Sequence, residues 1–431
     1  MPLVSNHAQR TKLFQDLFRN YSGTAFAIRS ADGWYWSSSQ IDPPGCILVI
    51  KSTAAWRTLL ENPTQRTLGE AFIDGDLDVE GDLFSIFPAI QHLLQQPGSF
   101  RYRILRTLWQ SSTSLARCLR YGRQHSMARD RASISYHYDL PADFYRTWLG
   151  PTLAYSCAYF REPTECLECA QTNKLELICR KLGLRPNERF LDIGCGWGSL
   201  LLHAASRYGS KAYGITLSQE QAAVAAQRIA HAQLEDKCTV ELRDYRTISD
   251  LPARFDKIAS VGMFEHVGLK NLREYFNIAL RMLSPGGLLL NHGIARSAAW
   301  ALTPSKDSFM DEYVFPGGEL ATLGEVLEIA ESVGFEVRDV ENLRSHYEQT
   351  LRLWVDNLRK NARMVLDTVS ERTYRIWLLY MAGSAYAFQQ GNIELYQVLL
   401  ARQPGQEIPA LATREAWYQR WTTSASKAAI W

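Results

Sequence analysis

The sequence predicts an α/β chain, in which a mostly parallel sheet is wrapped by helices on both faces and preceded by a small α+β module. From Leu175 onward, short apolar strands alternate with helical stretches, the pattern of a parallel sheet with crossover helices. Within that region Gly194-Cys195-Gly196-Trp197-Gly198 carries a buried strand through a tight turn into a helix. The first 95 residues instead mix short apolar runs with turn signals. At 431 residues the chain is long for a single core, and about two domains are expected.

The N-terminal module, residues 1–100, holds the apolar run Cys46-Ile47-Leu48-Val49-Ile50 between turn signals at Pro43-Pro44-Gly45 and Asp74-Gly75-Asp76, and it ends in a helical stretch from Leu83 to Leu94. Residues 101–131 form a basic connector with eight arginines and a single acid, Asp130. Helical winding over 103–121 places Ile104, Leu108, Leu115 and Leu119 on one stripe and Arg106, Arg117 and Arg120 opposite. Such a helix packs either on its own protein or on anionic lipid headgroups. Residues 132–431 make the catalytic domain.

In that domain a helix runs to Leu182, and strands are expected at 189–193, 211–216, 239–243, 257–262 and 287–294. Helices are expected at 198–207, 218–231 and 271–283, with the turn Pro285-Gly286-Gly287 ahead of the fifth strand. A short strand follows from Phe335 to Val340. The chain is then mainly helical and aromatic to residue 392, and Val398-Leu399-Leu400 returns as an edge strand.

Composition narrows the function. With 46% hydrophobic residues the chain can bury a sizeable core, and a net charge of +2 gives no electrostatic footprint for nucleic acid. The segment MPLVSNHAQRTKLF lacks an apolar secretory core, and no stretch reaches the roughly 18 apolar residues of a membrane span. The expected location is the cytoplasm, in peripheral contact with the inner face of the membrane. Eight scattered cysteines without an export signal read as reduced thiols. Cys166 and Cys169 form a C-x-x-C, but no second pair or His cluster follows at zinc spacing, so neither a metal nor a redox role is expected there.

Phe190-Leu191-Asp192-Ile193 reads as a buried strand, and Gly194, Gly196 and Gly198 suit a turn that approaches a ligand closely. The spacing departs from the dinucleotide pattern G-x-G-x-x-G. The second strand ends in Gly214-Ile215-Thr216-Leu217-Ser218-Gln219, without the acidic residue that binds the ribose hydroxyls of NAD. Thr216 and Gln221 can hydrogen-bond a ribose instead. The third strand ends at Arg243-Asp244-Tyr245, where a carboxylate can accept from an adenine amino group and an aromatic can lie beside the ring. With Asp192 and Leu217 in the same turns, the set points to S-adenosylmethionine and hence to a methyltransferase.

Longer motifs carry a resemblance. Ser135-Tyr136-His137-Tyr138-Asp139-Leu140, Tyr155-Ser156-Cys157-Ala158-Tyr159-Phe160, Leu191 through Gly198, Gly214 through Ser218, Val261 through Gly268 and Tyr313-Val314-Phe315-Pro316 resemble the cyclopropane-fatty-acyl-phospholipid synthases and the related mycolic acid cyclopropane synthases, over nearly the whole chain. The resemblance implies a class I methyltransferase fold with a seven-stranded sheet and helical lipid-pocket insertions. It implies transfer from S-adenosylmethionine onto a cis double bond of a phospholipid acyl chain, closing a cyclopropane ring with bound bicarbonate as base. The bicarbonate ligands it implies are Cys157, Glu265, His292, Ile294 and Tyr313. For the cofactor it assigns Tyr155, Ser156, Gly194, Thr216, Gln221 and the pair Tyr245-Arg246, where some members carry Trp-Glu. It further implies that residues 1–100 handle lipid, notably around Gly69 to Asp76, that a bilayer surface is a partner, and that the protein forms a homodimer.

The implied chemistry suits these residue types. An isolated alkene is a poor nucleophile, so catalysis rests on positioning it in line with the sulfonium methyl. The resulting carbocation needs a dry pocket with aromatic faces. Tyr136, Tyr138, Phe144, Tyr145, Trp148, Tyr155, Tyr159 and Phe160 supply aromatics for core and acyl pocket alike. Beside an anion, Glu265 must either accept a hydrogen bond from bicarbonate or be held protonated by a raised pKa. Cys157 reads as a wall residue rather than a nucleophile, and His137 and His266 as structural histidines or site groups. Two rival readings are a related enzyme that leaves a methyl- or methylene-branched chain, and a non-catalytic lipid-binding protein; the intact cofactor motifs argue against the second.

Overall fold

The computed structural model describes residues 7–95 apart from 42 and 62, residues 140–299 apart from 252 and 253, residues 309, 313 and 314, and residues 319–403 and 413–418. The basic connector and the residues around Tyr136, His137 and Tyr138 lie outside the described residues. Two compact units emerge. The smaller draws on the described residues of 1–122, 304–316 and 369–386, and the larger on those of 123–303, 317–368 and 387–431. The smaller unit is therefore assembled from three chain segments, whereas the sequence suggested one uninterrupted block before the catalytic domain.

In the smaller unit, helix α1 (His7–Leu17) covers a sheet of β1 (Phe26–Ser30), β2 (Tyr35–Ser37), β3 (Cys46–Ile50) and β4 (Leu77–Gly81), ordered β2-β1-β3-β4. Phe14, Phe26, Trp34, Trp36 and Trp56 form its buried aromatic centre, with the Phe14 and Trp34 rings 5.5 Å apart. Helices α2 (Thr53–Glu61) and α3 (Gln65–Ile73) lead into β4. The single helix expected over 83–94 is split into a 3-10 turn, Leu83–Ile86, and α4 (Phe87–Gln95), because Pro88 has no N–H to continue a helix and suits a first turn. The late segment is tied in by Arg375, whose Nη1 donates to Phe72 O at 3.2 Å and whose Nη2 pairs with Asp78 at 3.2 Å. Tyr386 stacks on Phe87 at 5.4 Å.

The larger unit begins with α5 (Ala142–Leu149) and α6 (Leu167–Leu182) and proceeds through β5 (Arg189–Ile193), α7 (Ser199–Tyr208), β6 (Lys211–Thr216), α8 (Gln219–His231), β7 (Cys238–Leu242), β8 (Phe255–Val261), α9 (Leu272–Met282) and β9 (Leu283–Arg296). It closes with α10 (Leu323–Ser332), β10 (Phe335–Asn342), α11 (Arg344–Lys360) and β11 (Ile393–Arg402). Among the described residues its sheet has seven strands in the order β10-β11-β9-β8-β5-β6-β7. β5 through β9 pair in parallel, while β11 runs antiparallel to both of its neighbours. The order reverses direction at β5, with β6 and β7 on one side and β8 and β9 on the other, so a crevice opens beyond the carboxyl ends of these strands.

Three expectations are corrected. Residues 398–400 belong to an inner strand: β11 lies between β9 and β10, and β10 takes the edge. Glu394 and Gln397 break the apolar run that would have marked an inner strand, yet Gln397 is fully buried. The turn Pro285-Gly286-Gly287 lies inside β9, where pairing with β8 jumps from Phe255↔Leu283 to Lys257↔Leu288 and Gly286 adopts φ +74°. Cys166 and Cys169 are joined as a disulfide; Cys166 caps α6 by accepting from Cys169 N, so the two sulfurs meet across the first turn, with Cα atoms 5.3 Å apart. Among the described residues no helix is long and apolar enough to cross a membrane.

Candidate active site

The chain leaves β5 through Gly194, Gly196 and Gly198, all at positive φ (+82°, +53° and +83°). Gly194 N and Cys195 N both donate to Ile215 O at 2.9 Å, fastening the turn to β6. A Cβ on Gly194 would stand 2.9 Å from the Met263 side chain, and one on Gly214 would stand 2.5 Å from Leu201 Cδ1. Tyr155, Ser156, Asp192, Gly194, Gly196, Thr216, Leu217, Gln221, Tyr245 and Arg246 line one cleft around this turn, and Trp197, Met263 and His266 share it. Thr216 Oγ1 donates to Gln221 Oε1 at 2.8 Å and accepts from Ser218 N at 3.2 Å, so the two side chains expected at a ribose are already oriented against each other.

Gly198 and Asp244 stand apart from that lining. Gly198 starts α7, and a Cβ there would press on Ala225 at 3.2 Å, which makes its role close helix packing. Asp244 closes on Arg246: its Oδ1 accepts from Arg246 N and Nε, each at 2.9 Å, and its Oδ2 from Nη2 at 2.6 Å. The carboxylate that the sequence put forward for an adenine amino group is thus engaged within its own turn.

The cleft holds buried charge. Burial raises the Asp192 carboxyl to about 7, and its Oδ1 has no hydrogen-bond partner. Lys174 on α6 is 2% exposed; burial lowers its ammonium to about 8, and its Nζ donates to Ser156 Oγ at 2.7 Å. The segment carrying Ser156 is held from both sides. On the α6 side Gln171 Nε2 donates to Ser156 O at 2.9 Å and Tyr159 N donates to Ala170 O at 3.0 Å. On the α11 side Ala158 N donates to Thr350 Oγ1 at 3.0 Å and Phe160 N to His346 Nδ1 at 3.1 Å. Arg228 on α8 joins this segment to the glycine turn, donating to Thr152 O at 3.2 Å and to Trp197 O at 2.7 Å.

A second polar group lies just beyond β8. Gly262 N donates to His292 O at 2.8 Å, and Glu265 Oε1 accepts from Ile294 N at 2.7 Å, so Glu265 takes the place of the next strand residue beside β9. Although part of the residue reaches the surface, Glu265 Oε2 is buried without a partner, and burial lifts its carboxyl to about 7. His292 is fully buried, and burial drives its pKa well below the usual histidine value, so the imidazole is neutral. Gln397 Nε2 meets His292 Nδ1 at 3.1 Å; with that amide donating, the ring proton sits on Nε2, which has no partner. Cys157 is fully buried with its thiol pushed far up by burial, and its Sγ points to Ala158 O at 3.2 Å and Leu343 O at 3.9 Å. It is inert as a nucleophile.

Tyr313 belongs to the smaller unit, where its hydroxyl donates to Glu70 at 3.0 Å. Of the aromatic segment, Phe144, Tyr145 and Trp148 are fully buried core, with Tyr145 4.7 Å from Trp197. Tyr155 packs 5.3 Å from Trp354 and Tyr159 stacks on His346 at 4.8 Å. Sequence reading missed Lys174, Gln171, Arg228 and Gln397. A signal existed for the first two: Gln171 and Lys174 fall on the stripe of Leu167, Leu175, Ile178 and Leu182, polar residues on a face that must be buried.

The profile of the mycolic acid cyclopropane synthetase family matches residues 125–398. A Pseudomonas putida protein named "Probable fatty acid methyltransferase" is 39% identical over 373 residues, spanning 85% of this chain and 90% of that one. The cyclopropane-fatty-acyl-phospholipid synthase of Escherichia coli K12 is 38% identical over 62% of this chain and 66% of its own. Among solved structures, the cyclopropane synthase MmaA2 from Mycobacterium tuberculosis superposes with a TM-score of 0.60 at 33% identity, over 63% of this chain and 98% of that one. The mycolic acid cyclopropane synthase CmaA1, crystallised with S-adenosylhomocysteine, gives 0.59 at 34% identity over 63% of this chain and 98% of its own.

Proposed function

The chain belongs to the mycolic acid cyclopropane synthetase family, S-adenosylmethionine-dependent methyltransferases of class I fold, and within it we propose a cyclopropane-fatty-acyl-phospholipid synthase that uses bicarbonate as base. The observation that carries the reading is two buried polar atoms without partners, Glu265 Oε2 just beyond β8 and His292 Nε2 on β9. One neutral donor and one carboxyl of raised pKa suit a small anion that itself bears a proton, which is bicarbonate's chemistry.

When bound, S-adenosylmethionine supplies an electrophilic methyl group and bicarbonate a compact base. The residues of this chain do the rest. Tyr155, Ser156 and the turn from Gly194 hold the donor, with Asp192, Thr216, Leu217, Gln221 and the Tyr245-Arg246 pair around it. Aromatic faces near Tyr155 and Tyr159 orient the acyl chain and exclude water, which would quench a cation. His292 Nε2–H would donate to such an anion, and Glu265, neutral below about pH 7, would meet it without charge repulsion. Ile294 acts through Glu265, whose Oε1 its N–H fixes, and Cys157 walls the site. The family resemblance adds Tyr313 to the set; in this structure its hydroxyl donates to Glu70. The smaller unit handles lipid at the inner face of the membrane, and the enzyme works as a homodimer; vesicle co-sedimentation and light scattering check these two.

A second reading, a methyl-branching fatty acid methyltransferase, is favoured by the name and near full-length match of the Pseudomonas putida relative. Expression in a bacterium deleted for its own synthase and fed deuteromethyl methionine separates the two. A ring retains the label as CD2 and gives the upfield NMR signals of a cyclopropane, a methylene branch retains CD2 as an exocyclic alkene carbon, and a methyl branch formed by loss of a chain proton retains CD3. Branched chains without rings would replace the first reading by the second.

A further inference from the structure

Lys174 is a lysine inside the core, on a helix whose neighbours at that face are Leu175 and Ile178, and such a cation is costly to bury unless it meets an anion. Its hydrogen bond goes to a neutral hydroxyl, Ser156 Oγ, rather than to Asp192. Both charged residues line the cleft, and Asp192 Oδ1 also lacks a partner. The loop does not need the lysine for its backbone, since Gln171 and Ala170 already bind Ser156 O and Tyr159 N. What remains is a floor bearing one cation, hydrogen-bonded to Ser156, and one carboxyl with an unpartnered oxygen, the two in electrostatic reach of each other but not hydrogen-bonded. The methionine arm of S-adenosylmethionine ends in the matching pair, an ammonium and a carboxylate.

We propose that Lys174 is a cofactor-recognition residue: it receives the carboxylate of the methionine arm together with Ser156, whose hydroxyl it orients, while Asp192 takes the ammonium. An ammonium with three donors can hold Ser156 and a carboxylate at once. This assignment rests on the cofactor reading of the cleft, and it adds a residue outside the glycine turn that selects for an intact amino-acid end.

Calorimetry on the full chain tests it with three ligands: S-adenosylhomocysteine, its decarboxylated analogue and 5′-methylthioadenosine, which lacks the amino-acid end. In Lys174→Met, affinity for S-adenosylhomocysteine falls about 10- to 100-fold, the range for losing a hydrogen bond to a charged group, while methylthioadenosine binds as before. On the unmutated protein, removing the carboxylate from the ligand costs the same factor, and combining both changes costs no more than either alone. The ligand-side comparison stands even where the variant does not fold. Equal weakening of all three ligands in the variant, or additive losses, would make Lys174 a structural residue and overturn the proposal. If the unmutated protein binds none of the three, the cofactor reading itself fails.

Discussion

Replacing Glu265 by Gln separates its two roles. The amide keeps an oxygen to accept from Ile294 N at 2.7 Å and nearly the same volume, but it cannot ionise. In the native chain, burial lifts the carboxyl from 4.5 to about 7. An acid whose folded pKa is raised stabilises the fold fully below its unfolded pKa and loses that contribution as pH climbs to the folded value. The gap of roughly 2.5 units corresponds to about 3 kcal/mol lost between pH 4.5 and 7. Urea melts of both proteins, without ligand, over pH 5 to 8 measure it. The difference in stability between Glu265→Gln and the unmutated chain should shift by about 3 kcal/mol in favour of the variant as pH rises, and then level off. Parallel pH profiles would refute the raised carboxyl and with it the neutral Glu265 invoked beside bicarbonate. In the same preparation turnover should fall far more than S-adenosylhomocysteine affinity; equal losses would move Glu265 into the cofactor site.

Other perturbations test the scaffold. Arg228→Ala strips donors from Trp197 O and Thr152 O and should cost about 2–4 kcal/mol in urea melts, with weaker cofactor binding. Gly293→Ala places a Cβ 2.0 Å from the Phe264 ring and 3.1 Å from Glu265 Oε1, so turnover should collapse, whereas a fully active variant would disprove that packing. Cys166→Ser closes no loop and should cost at most about 2 kcal/mol because the disulfide spans only three residues in sequence, and mass spectrometry without reductant should find the unmutated pair two hydrogens light.

Local signals were readable where each residue's fate is decided by its immediate neighbours. β5 and β6 fall where their apolar runs predict, and Gly194 and Gly214 are glycine for reasons visible in the turn and in its close neighbours. The proposed anion ligands were legible only through family resemblance, because Cys157, Glu265 and His292 come from three distant segments. What the sequence hid is mainly tertiary. Ile294 N–H turns out to serve Glu265, 29 residues before it, whereas Asp244 closes on Arg246 inside one turn, a local contact that the residue types alone did not announce. The disulfide follows from Cys166 and Cys169 sharing one helical turn, a geometry that outweighed the compartment argument for reduced thiols. The 369–386 segment joins the smaller unit through Arg375, a contact no local pattern announces.

The inner position of β11 sets an order of assembly. β9 and β10 cannot be bridged until β11 slides between them, and Gln397, which orients His292, arrives on that same strand. A nascent chain that has released β5 through β10 from the ribosome therefore has its glycine turn but an unfinished sheet and an unsupported histidine. The hydrogen bond that fixes the His292 ring thus arrives only with the last strand of the sheet, long after the glycine turn has left the ribosome.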